Sequence, residues 1–146
     1  MLAQELAEQL KVVLKRHGYS LTVQRQIVFA ALQEQEPQTM HELVRRCNAI
    51  DRASVYRAIA LFEQLGIVQR LQLGWKYKLE LTDAFAHHHH HFSCVRCGSV
   101  QALPEDAVLE KRLATLARAQ GVVAQDHQVE IRGLCERCKI VTSEAS

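Results

Sequence analysis

The chain has 146 residues, of which 48% are hydrophobic and 23% are charged, a composition that argues against disorder and a fibrous fold and leaves room for one domain or two small ones. No stretch approaches the roughly 20 apolar residues of a membrane span, and the N-terminus lacks the features of a secretory signal, so we expect a cytoplasmic protein without a membrane partner. Lys and Arg number 18 against 16 Asp and Glu, so net charge identifies no partner.

Four helices are predicted in the first half of the chain from apolar spacing and capping residues. They cover residues 2–17, the segment from just after Thr22 to Gln33, residues 40–47 and residues 52–65. Thr39 and Glu42 have the spacing of a capping box for the third helix, and Asp51 can cap the fourth. The second helix offers Ile27, Phe29, Ala30 and Ala31 for a core face. Cys47 is predicted to be a small buried hydrophobe.

Period-two alternation follows the fourth helix and predicts two strands, residues 67–73 and 75–81, joined by a tight turn at Gly74. Helices followed by a hairpin are typical of a winged helix-turn-helix, in which the helix before the hairpin reads DNA. We therefore predict a winged-helix DNA-binding domain over residues 1–83. Its candidate DNA contacts are Arg52, Ser54, Tyr56 and Arg57 on the reading helix and Arg70, Lys76 and Lys78 on the wing. Such charges can equally form a solvated face.

The remaining residues, 84–146, predict a small α+β domain. Strands are expected at residues 91–94, 99–103 and 129–134, with a helix over residues 104–120. The exposed strand edges of so small a domain are covered most simply by a second copy of the chain. The fold class is therefore α+β, with a winged-helix domain followed by a dimerisation domain, and the expected partner is a second copy in a homodimer.

Two cysteine pairs lie in this second domain, Cys94 with Cys97 and Cys135 with Cys138. In each pair two intervening residues allow both thiolates to reach one ion, so together they predict a tetrahedral Zn²⁺ site. Four thiolates leave no open coordination position, which indicates a structural role. Buried thiols paired by chance, or a redox pair, are the alternatives.

Five consecutive histidines occupy residues 87–91. In an extended segment His88 and His90 point to one side, whereas His87, His89 and His91 point to the other. One strand could therefore serve two metal sites, since imidazole binds zinc, iron, nickel and copper. A solvated His-rich loop or a purification tag would give the same run.

Several separated motifs resemble those of the ferric uptake regulator (Fur) family of bacterial metal-responsive repressors, from about residue 8 to Cys138. They are LTVQR at 21–25, ASVYR at 53–57, LGIV at 65–68, the His run before Cys94 and Cys97, and GLC at 133–135. In order and spacing these motifs match the family's second helix, reading helix, wing entry, hinge and final cysteine clamp. We therefore expect the family's fold over nearly the whole chain.

The resemblance implies three metal sites. Cys94, Cys97, Cys135 and Cys138 would hold structural Zn²⁺, while a second divalent ion, Fe²⁺ or Zn²⁺ with Mn²⁺ as a further option, would occupy regulatory sites. One regulatory site comprises His88, His90, Glu110 and His127, and the sensing site between the domains comprises Glu80, His89 and His91. The family usually adds a His just before the third helix. This chain has Pro37 and Gln38 there. His41, about one turn further on, could substitute; the alternatives are a three-ligand site completed by water, or no site, with His41 an ordinary surface residue.

The predicted function is a metal-responsive repressor that binds double-stranded operator DNA as a metal-loaded homodimer and controls iron or zinc homeostasis. Metal at the hinge would fix the reading heads at the spacing of two half-sites, and no catalysis is implied. A zinc hydrolase or deaminase using Glu80 or Glu110 as general base is an alternative. A zinc-stapled dimerisation or adaptor module is another. Gln101 and Ala102, where the peroxide-sensing branch has an acidic residue, argue against peroxide sensing.

Overall fold

A computed structural model describes residues 2–34, 37–73 and 75–143. The chain divides into two compact units, Met1–His87 and His88–Ser146. Within the described residues, the helices are all too short or too polar to cross a membrane.

The first unit contains four helices and a hairpin in the predicted order. These are α1 (Leu2–Arg16), α2 (Val23–Glu34), α3 (Met40–Arg46), α4 (Arg52–Gln64), β1 (Val68–Leu73) and β2 (Lys76–Leu81). The predicted capping box is confirmed, since the Glu42 N–H donates to Thr39 Oγ1 at 3.2 Å and the Thr39 N–H donates to Glu42 Oε2 at 2.7 Å. Asp51 caps α4 as predicted, because its Oδ1 accepts from the Ser54 N–H at 2.9 Å. The winged helix-turn-helix pattern is therefore confirmed.

The core of the first unit is built around three aromatic rings. Phe29 packs edge-to-face on Phe62 and Phe85, with ring centroids 6.3 and 5.7 Å apart. Burial of each such ring stabilises the folded state by roughly 1.5–3 kcal/mol relative to leaving it exposed. The predicted core face of α2 was wrong at Ala30, which is exposed, whereas Val28 and Leu32 are fully buried. Cys47 is buried as predicted, and burial raises the pKa of its thiol.

The wing is the antiparallel pair β1–β2, in which Leu73 pairs with Lys76 at its outer end. The predicted turn at Gly74 lies outside the described residues. The segment before α3 joins the hairpin through Gln38, whose N–H donates to the Leu79 carbonyl at 3.0 Å. The buried Gln38 side chain also donates to the Ala31 carbonyl at 2.7 Å. Gln38 therefore links α2 to the wing.

The second unit has α+β architecture, as predicted. Its elements are β3 (His90–Cys94), β4 (Val100–Leu103), α5 (Ala107–Ala119), β5 (Glu130–Gly133) and α6 (Glu136–Ser143). The central strand β3 pairs antiparallel with β4 and parallel with β5. Helix α5 begins later than predicted because Asp106 caps it, accepting from the N–H groups of Val108 and Leu109. Helix α6 was not predicted.

No side chain of helix α5 is fully buried, although Leu109, Glu110 and Leu113 are half-buried. Val108 is 79% exposed and Leu116 is 48% exposed, while Ile131 on β5 is 54% exposed. The second unit therefore presents apolar side chains that its own residues do not cover.

Candidate metal centres and nucleic-acid interface

The four cysteines of the two predicted pairs converge at one end of β3. Cys94 ends that strand, Cys97 lies in the following turn, and Cys135 and Cys138 lie at the start of α6. Their ligand atoms all lie within 4.8 Å of one another. The Sγ atoms of Cys97 and Cys135 are 3.7 Å apart, close to the roughly 3.8 Å expected for two thiolates around tetrahedral Zn²⁺ with bonds of about 2.3 Å. The cluster therefore fits a zinc ion.

Local hydrogen bonds favour the thiolate form at part of this cluster. Hydrogen bonding to the side chain and backbone of Ser99 lowers the pKa of Cys97 to about 5. The pKa of Cys94 is also lowered, mainly because the Cys135 N–H donates to its sulfur. Burial raises the pKa of Cys138 to about 12. Arg96 donates to the Cys138 carbonyl at 3.1 Å, so its positive charge lies beside the thiolates.

A second cluster unites His88, His90, Glu110 and His127, residues that are far apart in sequence. His90 Nε2 lies 2.8 Å from Glu110 Oε1, and His127 Nε2 lies 3.0 Å from Glu110 Oε2. His88 Nε2 is 3.1 Å from His127 Nε2. Ligand atoms around tetrahedral Zn²⁺ with bonds of about 2.0–2.1 Å are separated by roughly 3.3 Å. This set, called here the histidine cluster, therefore has the donor types and spacing of a metal site.

The carboxylate of the histidine cluster is ready to bind a cation. Partial burial would raise the pKa of Glu110, but its hydrogen bond with His90 and its proximity to His127 outweigh that effect and hold the pKa below its usual range. The glutamate is therefore ionised at neutral pH, and three imidazoles surround it.

The residues predicted for the sensing site lie in different units. Glu80 is buried on β2 of the first unit, where it accepts from Gln69 Nε2 at 2.9 Å. His89 and His91 belong to the second unit, with ring centroids 4.7 Å apart. Near the third helix, Gln38 is buried, whereas His41, the candidate substitute ligand, is exposed. The sensing assignment stays a prediction.

Helix α4 presents its predicted DNA contacts at its capped N-terminal end. Arg52 Nη2 donates to Tyr56 Oη at 3.2 Å, and its guanidinium lies 5.4 Å from the centroid of that ring. Arg57 Nη2 donates to Ser54 Oγ at 3.0 Å, and Ser54 Oγ donates to Asp51 Oδ2 at 2.6 Å. The cap that begins the helix therefore also positions Arg57.

A polar pocket of about 230 Å³ adjoins this end of α4. Its lining includes Ser54 and Arg57 from α4, together with Thr22 and Arg25 from the start of α2. Sequence reasoning missed Arg25 as a site residue. The signal was present, since an Arg in the first turns of the helix preceding a reading helix can lie beside it in a helix-turn-helix.

The basic side chains of the wing differ in how they are engaged. Arg70 forms a bidentate ion pair with Glu63 and lies over the ring of Tyr77, 4.3 Å from its centroid. The ion pair raises the pKa of Arg70. Lys76 is exposed, with Nζ 4.6 Å from the centroid of Trp75. Lys76 is therefore more accessible to a partner than Arg70.

The first unit is a winged helix-turn-helix. The second unit carries a four-cysteine cluster that fits zinc, together with the histidine cluster. These features place the chain in the class of metal-binding winged-helix proteins. The sequence profile of the ferric uptake regulator family matches residues 16–132. The chain belongs to this family of metal-responsive, DNA-binding transcription regulators, as the motifs predicted.

Individual relatives agree with this assignment over most of their length. The chain is 31% identical over 140 residues to the ferric uptake regulation protein of Bacillus subtilis strain 168, covering 90% of this chain and 93% of that protein. The crystal structure of the Vibrio cholerae ferric uptake regulator superposes with a TM-score of 0.68 at 30% identity, covering 84% of this chain and 96% of that one. A zinc uptake regulator complexed with zinc and DNA gives a TM-score of 0.59 at 25% identity, covering 97% of each chain.

Proposed function

We propose that the chain is a metal-dependent transcriptional repressor that binds operator DNA as a homodimer. The observation that carries this proposal is the N-terminal end of α4, where Tyr56 and Arg57 are exposed and tethered to Arg52 and Ser54. A helix held in this way presents side chains to base edges in a major groove.

The chemistry of these side chains suits direct readout. The Arg57 guanidinium can donate two hydrogen bonds to guanine, and the Tyr56 ring can contact thymine methyl groups. Thr22 and Arg25, which share the polar pocket with Arg57, suit a backbone phosphate that fixes the register of the helix. On the wing, Lys76 supplies the accessible cation, and Arg70 contributes once it exchanges Glu63 for a phosphate.

The proposed metals follow from the donor sets. The four cysteines suit a structural Zn²⁺, which closes the fold of the second unit and has no open position for catalysis. Three imidazoles and a carboxylate suit a divalent ion of intermediate hardness, Fe²⁺ or Zn²⁺ or also Mn²⁺. Glu80, His89 and His91 are proposed as the ligands of the sensing site. Two of the relatives named above are ferric uptake regulators and one is a zinc uptake regulator, which supports Fe²⁺ and Zn²⁺ as candidate regulatory metals.

The homodimer is supported by the uncovered apolar side chains of α5 and β5, among them Val108, Leu116 and Ile131. Burial of such surface drives the association of two copies. Regulation then requires only that metal bind the DNA-competent arrangement more tightly than the alternatives, which shifts the population toward it.

The test uses a duplex that the metal-loaded protein selects from a randomised pool, and a random duplex of equal length. Fluorescence anisotropy of the labelled duplexes is measured with metal and after chelation, at several salt concentrations. We expect salt-dependent binding that metal strengthens and that favours the selected duplex. Equal binding with and without metal would contradict metal dependence, and a protein that retains zinc but binds neither duplex would instead indicate an adaptor module.

Two variants separate the reader from the wing. Tyr56→Ala should lower the ratio between selected and random duplex, because a lost base contact costs about 1–3 kcal/mol per half-site. Lys76→Ala should weaken binding to both duplexes similarly and reduce the salt dependence of that binding by about one unit of slope. An unchanged ratio for Tyr56→Ala together with a collapsed ratio for Lys76→Ala would reverse the assignment.

The sensing site is tested by His89→Ala and His91→Ala. Each should keep the structural zinc but lose the stimulation of DNA binding by metal. Normal stimulation in both variants would remove these residues from the sensor.

A further inference from the structure

Trp75 is an unusual residue for the outer end of the wing. It is the sole Trp of the chain and is 86% exposed, directly before the last pair of the hairpin ladder. Indole rings normally bury 150–250 Å² of surface when they pack. A single exposed apolar residue is common on protein surfaces, so exposure alone does not indicate a partner.

The surroundings of Trp75 supply the second observation. Lys76 lies with its ammonium 4.6 Å from the indole centroid, an attraction that holds a cation beside the ring. The strands β1 and β2 carry three basic residues, Arg70, Lys76 and Lys78, and one carboxylate, Glu80, which is 1% exposed. Arg70 is already neutralised by Glu63. Lys78 lies close enough to Glu42 to help lower the pKa of that carboxyl, so Lys76 is the cation that the outer end of the hairpin combines with the apolar ring.

A duplex backbone offers the complementary pair of surfaces, since each apolar deoxyribose face adjoins an anionic phosphate. The indole has one donor and no acceptor, so it cannot reproduce the forked contacts that identify a base. Apolar side chains that enter the minor groove usually wedge between base steps, whereas a ring with an ammonium held beside it fits a sugar and its adjoining phosphate. This chemistry favours the backbone over a base edge.

We propose that Trp75 is a DNA-docking residue of the wing. Its ring lies against a deoxyribose of the duplex backbone, its Nε1–H donates to a phosphate oxygen, and the Lys76 ammonium pairs with the same phosphate. The inference rests on the proposed function and adds to it a sequence-independent contact made by an aromatic side chain.

The sole Trp is also its own probe. The indole is excited at the red edge of its absorption, and its emission is followed while unlabelled random duplex is added to the metal-loaded protein. Acrylamide quenching is measured before the first addition and at saturation. We expect the emission to change and the ring to become protected from acrylamide, with the same midpoint as the anisotropy of labelled duplex. Anisotropy that reports binding while emission and quenching stay unchanged overturns the inference and leaves the proposed function intact. If anisotropy reports no binding, both are overturned.

Variants give an independent measure. Trp75→Ala should lower the affinity for the selected and the random duplex alike by about fivefold, which is the effect expected for one lost aromatic contact. Trp75→Phe keeps an apolar ring without the N–H and should fall between Trp75→Ala and the unaltered protein. Val123→Ala, which truncates a side chain that is 92% exposed in the other unit, is the matched control and should leave affinity unchanged. Unaltered affinity of Trp75→Ala for both duplexes overturns the inference.

A second copy of the chain is the rival partner for the ring. Emission and acrylamide quenching are therefore also measured without DNA over a wide range of protein concentration. We expect no dependence on concentration. Protection that appears on concentration alone, with no further change when duplex is added, assigns Trp75 to self-association and overturns the inference.

Discussion

Gln38 allows the packing of the first unit to be tested in the segment just before α3. Its side chain is 1% exposed, and its Nε2 donates to the Ala31 carbonyl at 2.7 Å. Gln38→Ala removes the donor from a buried carbonyl, which costs about 1–3 kcal/mol, and also one buried methylene, worth about 0.8 kcal/mol. We expect the free energy of unfolding of the first unit to fall by about 2–4 kcal/mol.

The assay is urea denaturation followed by far-ultraviolet circular dichroism, which reports mainly on the four helices of the first unit. With the slopes typical of small domains, the midpoint should fall by about 1–2 M. Gln33→Ala is the matched control, because Gln33 is an exposed glutamine of α2, and exposed substitutions usually change stability by less than about 0.5 kcal/mol. A midpoint for Gln38→Ala equal to that of Gln33→Ala would refute the account of Gln38 as a buried link between α2 and the wing.

Four further predictions concern the metal sites and the cap of α3. Cys94→Ser should abolish zinc binding and unfold or dissociate the second unit, whereas the control Cys47→Ser should retain zinc. Metal analysis and sedimentation measure both effects, and a Cys94→Ser protein that remains a zinc-loaded dimer would contradict the prediction. Glu110→Gln should lower metal uptake at the histidine cluster, leaving one zinc equivalent at the cysteines. Thr39→Ala should cost about 1 kcal/mol in urea denaturation. Hydrogen bonding from Thr39 lowers the pKa of Glu42 below 4.5, so the stability that Glu42 contributes is complete above that pH and is lost as pH falls through the lowered value; Glu42→Gln should remove this acid dependence.

Features encoded by neighbouring residues were predictable from the sequence. The capping box of Thr39 and Glu42 needs only two residues three positions apart, and the structure confirms it. The alternation of His88 and His90 on one side of an extended segment is equally local. Both depend on the spacing of neighbouring residues along a helix or an extended segment.

Features that depend on distant partners were not predictable in the same way. Helix α6 lacks an apolar helical period and contains β-branched residues such as Ile140, which disfavour helices. The cysteines at its start cluster with Cys94 and Cys97, which lie about forty residues earlier in the chain. Pairing of Arg70 with Glu63 likewise joins a strand to a helix and removes a charge that sequence reasoning counted as available. Local propensity carries no information on such contacts.

Because α5 has no fully buried side chain in a single copy, its stability has a consequence for the abundance of the protein in cells. A helix that gains further apolar burial from a second copy contributes part of its folding free energy through mass action, so in the proposed homodimer the second unit is less stable when protein is scarce. Newly made single copies would then expose Val108 and Leu116 to proteases, while assembled copies would conceal them. Degradation of the protein would therefore slow as its copy number rises. Below a threshold concentration, degradation would outpace assembly and the cell could not maintain the protein.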